Sequence, residues 1–354
     1  MAILPAGRYY RWLVLLALTW LLGGCSNLNY YSQLAVGQFE LLQARQPISQ
    51  LLTDPATPPP LRQRLALALR ARAFASAQLK LPDNRSYRLY ADIQRPFVLW
   101  NLFATEEFSL AAQTACFPIA GCVAYRGYYQ VEDAQAAAAE LKQRGLDTYV
   151  AGVEAYSTLG WFDDPLLSSM LQWNDQRLAG LIFHELAHQQ LYVSDDSSFN
   201  ESFASFVEQQ GLREWLARRG EAELEVTSRR QREQFIALLL VSRERLAVLY
   251  ASDLPVAALR AGKQAEFERL RADYRQLRAE QWGGQGRYDG WMSAPLNNAR
   301  LLPFGLYEQW VPAFAGLFKR CGGDWARFYG RVEQLAELPP LERTAALRAL
   351  QPKS

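Results

Sequence analysis

The sequence predicts an α+β fold, with a small mixed sheet within residues 86–160 and a large, mostly helical lobe over residues 161–354. Three observations predict it. Tyr87, Leu89, Ala91 and Ile93 alternate with polar residues, as in a half-buried strand. The alanine-rich run Glu132–Arg144 reads as a helix stopped by Gly145, and the β-forming run Thr148–Tyr156 follows it. After residue 163, apolar residues recur mainly at helical spacing.

The elements can be justified in chain order. Residues 1–24 read as a leader: Arg8 and Arg11 precede the apolar run Trp12–Leu22, which is too short to span a bilayer as a helix. The run ends in Leu22-Gly23-Gly24-Cys25, which resembles a bacterial lipobox, with Cys25 as the lipidated residue; an ordinary cleaved leader is the alternative. By resemblance to lipoprotein sorting, Ser26 after that cysteine points to a lipid anchor in the outer membrane of the cell envelope, with the domain facing the periplasm.

Residues 25–85 read as an N-terminal helical segment. Its stripes are Phe39, Leu41, Leu42 and Ile48, then Leu61, Leu65, Leu69 and Phe74, broken by Pro55 and Pro58–Pro60. Further strands are expected at Phe97–Trp100 and Val123–Tyr125. Cys116 and Cys122 flank a five-residue loop. In an exported domain they form a disulfide or remain two small buried thiols, and Cys321 is left over.

In the second lobe, Asp175 is the expected N-cap of a helix to about Val193, and Ser198 or Asn200 begins the next, to about Arg218. Two long amphipathic helices fill residues 228–281, broken near Pro255, and a Gly/Asn-rich loop covers Gly283–Pro303. Residues 304–350 are helical, interrupted at Gly322-Gly323 and Pro339-Pro340.

Composition narrows the function classes. Of 354 residues, 50% are hydrophobic and 21% charged, which excludes a disordered or fibrous chain. Thirty-eight basic residues face 36 acidic ones, so the charge balance offers no case for a nucleic-acid partner. The only two histidines, His184 and His188, lie four apart with Glu185 directly after the first. Random placement would give that arrangement in roughly 3 of 10,000 such sequences. Residues i and i+4 share a helix face, so both imidazoles can reach one ion while Glu185 lies beside it. The expected ion is Zn2+, held by imidazole nitrogen and a carboxylate, with Glu185 as general base.

A third histidine does not exist, so a carboxylate, or Cys321, must complete the set. Glu201, in Phe199-Asn200-Glu201-Ser202-Phe203-Ala204, can return to the first helix by a helix–turn–helix; Asp195 and Asp196 are loop alternatives. Glu208, seven residues on, suits an imidazole N–H partner or an exposed charge.

These residues resemble the gluzincin metallopeptidases, which pair His-Glu-x-x-His on one helix with an Asn-Glu-x-x-Ala-like Glu on the next. The closer resemblance is to the Putative aminopeptidase family of bacterial lipoproteins. It is carried by Tyr156-Ser157-Thr158-Leu159-Gly160-Trp161-Phe162-Asp163-Asp164-Pro165, His184–Gln189 and Phe199–Ala204. The resemblance implies a thermolysin-like zincin core over residues 86–354 and a zinc aminopeptidase acting on peptides. The alternatives are an endopeptidase with the same chemistry and a non-catalytic envelope lipoprotein with a structural metal helix. The segment between His188 and Glu201 is shorter than in thermolysin-like enzymes.

The same resemblance implies a strand edge for substrate backbone beside the metal helix, for which Thr148–Tyr156 is the candidate. Gly152-Val153-Glu154 is similar to the Gly-x-Met-Glu-Asn segment of zinc aminopeptidases, implying that Glu154 binds the substrate ammonium, or else is a surface strand residue. Tyr288, Asn297, Asn298, Arg300 and Tyr307 are the candidates to stabilise the oxyanion, and Tyr307 is taken with Glu154 as substrate-binding.

Overall fold

The computed structural model describes residues 29–117, 121–155, 157–223, 226–305 and 309–351. Cys25, Tyr156 and Tyr307 lie outside them. The N-terminal part holds α1 (29–43), β1 (Arg45–Pro47), α2 (Ile48–Thr53) and α3 (Pro59–Ala77). Pro59 and Pro60 start α3, where a missing N–H is harmless. Arg72 on α3 is buried, and its guanidinium donates to the carbonyls of Pro82, Asn84 and Ser86. Burial pulls its pKa down to about 10, and those carbonyls clamp the chain that leads into the first sheet.

The strand region is β2 (Leu89–Ala91), β3 (Leu99–Thr105), β4 (Ala115–Phe117), β5 (Gly121–Val123), β6 (Arg126–Tyr128), α4 (Val131–Gln143), β7 (Asp147–Val153) and β8 (Leu166–Leu167). A mixed three-stranded sheet runs β1-β2-β8, an antiparallel one runs β6-β3-β7, and β4-β5 form a hairpin. Cys116 and Cys122 are paired across that hairpin and joined by a disulfide. The expected strand at Tyr87–Ile93 is reduced to three residues because Tyr87 sits at φ 62°. One face of β6-β3-β7, bearing Leu102, Tyr128 and Val150, packs on Ala134 and Ala138 of α4.

The helical lobe follows: α5 (Asp175–Gln190), α6 (Ser197–Arg219), α7 (Val226–Tyr250), α8 (Val256–Gln281), α9 (Asp289–Ser293), α10 (Asn298–Leu301), α11 (Val311–Arg320), α12 (Trp325–Ala336) and α13 (Pro340–Leu350). The N-cap of α5 is Asn174 rather than Asp175: its side chain accepts from the Arg177 N–H. α6 begins behind Asp196, whose carboxylate accepts from the Phe199 N–H, and ends at Gly220 with φ 64°. The expected loop Gly283–Pro303 contains the two short helices α9 and α10.

The main core unites α3, α5, α6 and α11–α13 through Leu65, Phe74, Phe183, Phe203, Phe314 and Phe328. A second cluster, including Phe235, Leu239, Phe267 and Tyr274, joins α7 to α8. Among the described residues, no helix is long and apolar enough to cross a membrane.

Candidate metal centre

The centre is built where α5 and α6 cross. Gly211 on α6 allows the close approach, since a Cβ there would lie 2.6 Å from Leu79 and 3.1 Å from Phe183. The connection between the helices is held by Asn200. Its Oδ1 accepts from the Val193 N–H at 2.8 Å, and its Nδ2 donates to the Val193 carbonyl at 2.7 Å. That clasp turns the first turn of α6, and Glu201 with it, back onto α5.

His184, His188 and Glu201 each offer a ligand atom, and these atoms all lie within 4.8 Å of one another. His184 Nε2 is 3.5 Å from Glu201 Oε2, and His188 Nε2 is 3.7 Å from Glu201 Oε1. Ligands about 2.05 Å from a tetrahedral zinc ion stand roughly 3.3 Å apart, and the two imidazole–carboxylate spacings are close to that. Glu208 Oε2 lies 3.0 Å from His184 Nδ1. An Nδ1–H donated there leaves the Nε2 lone pair directed at the cluster.

Without an ion, electrostatics favours the charged His184 ring, whose Nε2 must give up its proton before it can act as a ligand. The Glu201 and Glu208 carboxylates overcome burial and hold the His184 pKa well above its ordinary value. Burial pulls His188 down to about 4, so that ring is neutral at pH 7. Burial also pushes Glu185 up to about 7, opposed by His184 and reinforced by Glu201. Both Glu201 and Glu208 are held below the ordinary carboxylate value by the imidazoles, against burial.

A cleft of ≈ 620 Å³ opens over the cluster. His184, Glu185, His188 and Glu201 line it, and the opposite wall is a sheet face carrying Leu99, Asn101, Phe103, Tyr149 and Val153. Tyr125, Tyr192, Arg232 and Trp291 also reach it. Sequence reasoning missed these residues. The one available clue was Asn101, a polar residue at an inward position of an otherwise apolar strand.

The segment Ser157–Pro165 is organised by buried Asp164, which accepts from the Thr158 N–H at 3.0 Å, Thr158 Oγ1 at 2.6 Å and Gln189 Nε2 at 3.1 Å. Gln189 follows His188 directly, so the loop that brings Ser157 and Leu159 to the cleft is tied to the metal helix.

Other candidates are placed elsewhere. Asp195 accepts from the Cys122 N–H at 2.7 Å, latching the disulfide hairpin to the α5–α6 connection. Asp196 caps α6 and pairs with Arg343 at 2.9 Å. Cys321 is a half-buried free thiol at the end of α11, outside the metal cluster. Glu154 pairs with Arg177 at 2.8 Å and does not line the cleft, whereas its neighbours Val153 and Ala155 do.

β7 is an edge strand, but Asn297 Nδ2 already donates to the Thr148 carbonyl at 3.0 Å, and the sheet meets the cleft with its face.

The polar oxyanion candidates are used structurally. Tyr288 stacks on Phe235 at 3.9 Å, and Asn297 also caps α10. Asn298 donates to the Glu107 carbonyl and accepts from the Tyr250 hydroxyl. The Arg300 guanidinium lies over Tyr149 and Trp291 and donates to the Trp291 carbonyl. None of these four lines the cleft; Tyr307 is outside the described residues.

No curated protein and no solved structure matches the chain. The family model described as Putative aminopeptidase matches residues 29–347, and the chain belongs to that family.

Proposed function

We propose that the chain is a zinc-dependent metallopeptidase of the zincin type, an aminopeptidase, that hydrolyses peptides with Glu185 as general base. One observation carries the reading. Two imidazoles and a carboxylate converge within one ion's reach at the floor of a cleft, with a second carboxylate beside them that is not part of the cluster. Two imidazoles and a carboxylate are a set that would hold a catalytic zinc ion and leave room for a water. Zinc bound there supplies Lewis acidity to the carbonyl and acidity to the attacking water.

The chain's own groups do the rest. His184, oriented by Glu208, together with His188 and Glu201 would hold the ion. The Glu185 carboxylate takes a proton from the attacking water as its oxygen bonds to the carbonyl carbon. The same carboxyl then passes the proton to the amide nitrogen as the C–N bond breaks. The aminopeptidase direction is supported by family membership. The pairing of Glu154 with Arg177 favours a second reading, an endopeptidase with the same chemistry. We further propose export to the bacterial envelope and an outer-membrane anchor through lipidated Cys25, supported by the leader-like sequence alone.

The experiment is zinc content and hydrolysis of free and N-acetylated peptides, with and without chelator, for wild type and Glu185→Gln. The variant is expected to keep zinc and lose about 10²–10⁴-fold in kcat. Equal turnover in both proteins would sink the mechanism. Rejection of acetylated peptides supports the aminopeptidase, and their cleavage the endopeptidase.

A further inference from the structure

The sheet face lining the cleft is built in rows. Strand pairing sets Leu99 opposite Val153, Asn101 opposite Ala151 and Phe103 opposite Tyr149; on the other side of β3, Asn101 faces Gly127. All of these residues line the cleft. Side chains two apart along a strand share a face, so the rows follow one another at about 7 Å. The outer rows, Leu99–Val153 and Phe103–Tyr149, are tall, and apolar apart from the Tyr149 hydroxyl. The middle row, Gly127–Asn101–Ala151, is low, with no side chain at one end and a single methyl at the other. It forms a trough across the strands with one carboxamide in its floor.

That carboxamide has an unmet requirement. Asn101 is 9% exposed, and its Oδ1 is buried with no hydrogen-bond partner among the described residues. Glycine and alanine beside it have no polar side-chain atom to offer. A buried acceptor left without a donor costs the free protein stability, and a leucine or valine would fill the position without that cost. The arrangement makes sense when a ligand supplies the missing bond.

We propose that the Gly127–Asn101–Ala151 trough is the subsite for the main chain of an extended peptide, with the Asn101 carboxamide hydrogen-bonding one neutral peptide group of the substrate. This rests on the peptidase reading and adds what the cleft recognises. A carboxamide carries both an acceptor and donors, as a peptide group does, and rotation about χ2 exchanges their positions. Leu99, Val153 and Phe103 are apolar and Tyr149 adds only a phenol, so the trough's own walls offer an ammonium no counter-charge. The bound group is therefore an internal peptide bond rather than a free amino terminus.

The test uses zinc-loaded Glu185→Gln protein, so that binding is read without turnover. N-acetyl-Ala-Phe-Leu-Ala-amide and Ala-Phe-Leu-Ala-amide are each titrated by calorimetry. Adding Asn101→Ala is expected to weaken binding about tenfold, with zinc content unchanged and the melting temperature not lowered, because the side-chain oxygen has no protein hydrogen bond to lose. Ala151→Leu, which fills the trough and leaves Asn101 in place, is expected to cause at least the same loss. Asn101→Asp is expected to weaken binding as well. Undiminished binding in Asn101→Ala or Ala151→Leu overturns the proposal. So does an Asn101→Asp protein that binds Ala-Phe-Leu-Ala-amide more tightly than its parent, since that result identifies an ammonium site. A zinc-loaded parent that binds neither peptide overturns the peptidase reading and the subsite with it, whereas a parent that binds while the trough variants match it removes the subsite alone.

Discussion

Glu185 is 7% exposed and keeps its proton up to about pH 7, because burial disfavours the carboxylate. The unfolded chain releases that proton near the ordinary value of 4.5. Between those two values the native state binds more protons than the unfolded state, so this residue makes stability fall as pH rises. Its cost is absent below pH 4.5 and complete above about pH 7, where the shift corresponds to about 3 kcal/mol. Metal-free Glu185→Gln should therefore match metal-free wild type near pH 4 and exceed it by about 3 kcal/mol at pH 8. Urea unfolding of both chelated proteins across that range reads the difference; a gap that is constant with pH contradicts the burial argument. At this scale His184, Glu185 and His188 were legible in the sequence because one helix carries all three at fixed spacing. The Glu154–Arg177 pair was not legible, because Arg177 lies 23 residues away, on α5, where the strand sequence gives no sign of it. Asn101 acquires its meaning from Gly127 and Ala151, neighbours that only strand pairing supplies.

The connection from α5 to α6 decides whether Glu201 reaches the metal face, and Asn200 is its clasp. The side chain is 1% exposed and satisfies both the N–H and the carbonyl of Val193. Asn200→Ala removes both bonds and leaves the two main-chain groups without their present partner, which should destabilise the protein by about 2 kcal/mol. Because the clasp aims Glu201, zinc affinity should also fall, by about tenfold, as it does when groups supporting metal ligands are removed. Equilibrium unfolding and zinc titration against a competing chelator check the two effects. A stability loss with unchanged zinc affinity would show that α6 is aimed by its core packing alone. Helices were the legible elements here: the pairs α5–α6 and α7–α8 follow from apolar periodicity and Pro255, the residue just before α8. Strand ends were less legible. Three-residue strands such as β2 and β6 are set by which partner strand is available, and Asn174 outcompetes Asp175 as a cap through the Arg177 N–H it satisfies.

Across the whole molecule, the metal cluster is embedded in one core and separate from another. α5 and α6 share buried residues with α3 and α11–α13, so an ion that joins α5 to α6 braces helices from both ends of the described chain. The α7–α8 pair closes instead around Phe235, Leu239, Phe267 and Tyr274. No feature of the sequence marked this division, since both cores are made of the same apolar residues at the same spacing; it arises from which helices the connections bring together. The division has a measurable consequence. Zinc at about 100 times its Kd stabilises the native state by about 2.7 kcal/mol, provided the unfolded chain does not bind it. Thermal unfolding of the main core should move upward by several degrees on adding zinc to chelated protein, and His188→Ala should abolish the shift. Amide hydrogen exchange locates the effect: zinc should slow exchange in α3, α5 and α6, whose opening breaks the cluster or the core around it, and leave α7 and α8 nearly unchanged, because they can open locally without disturbing either. Equal slowing in all five helices would mean that the two cores open as one cooperative unit.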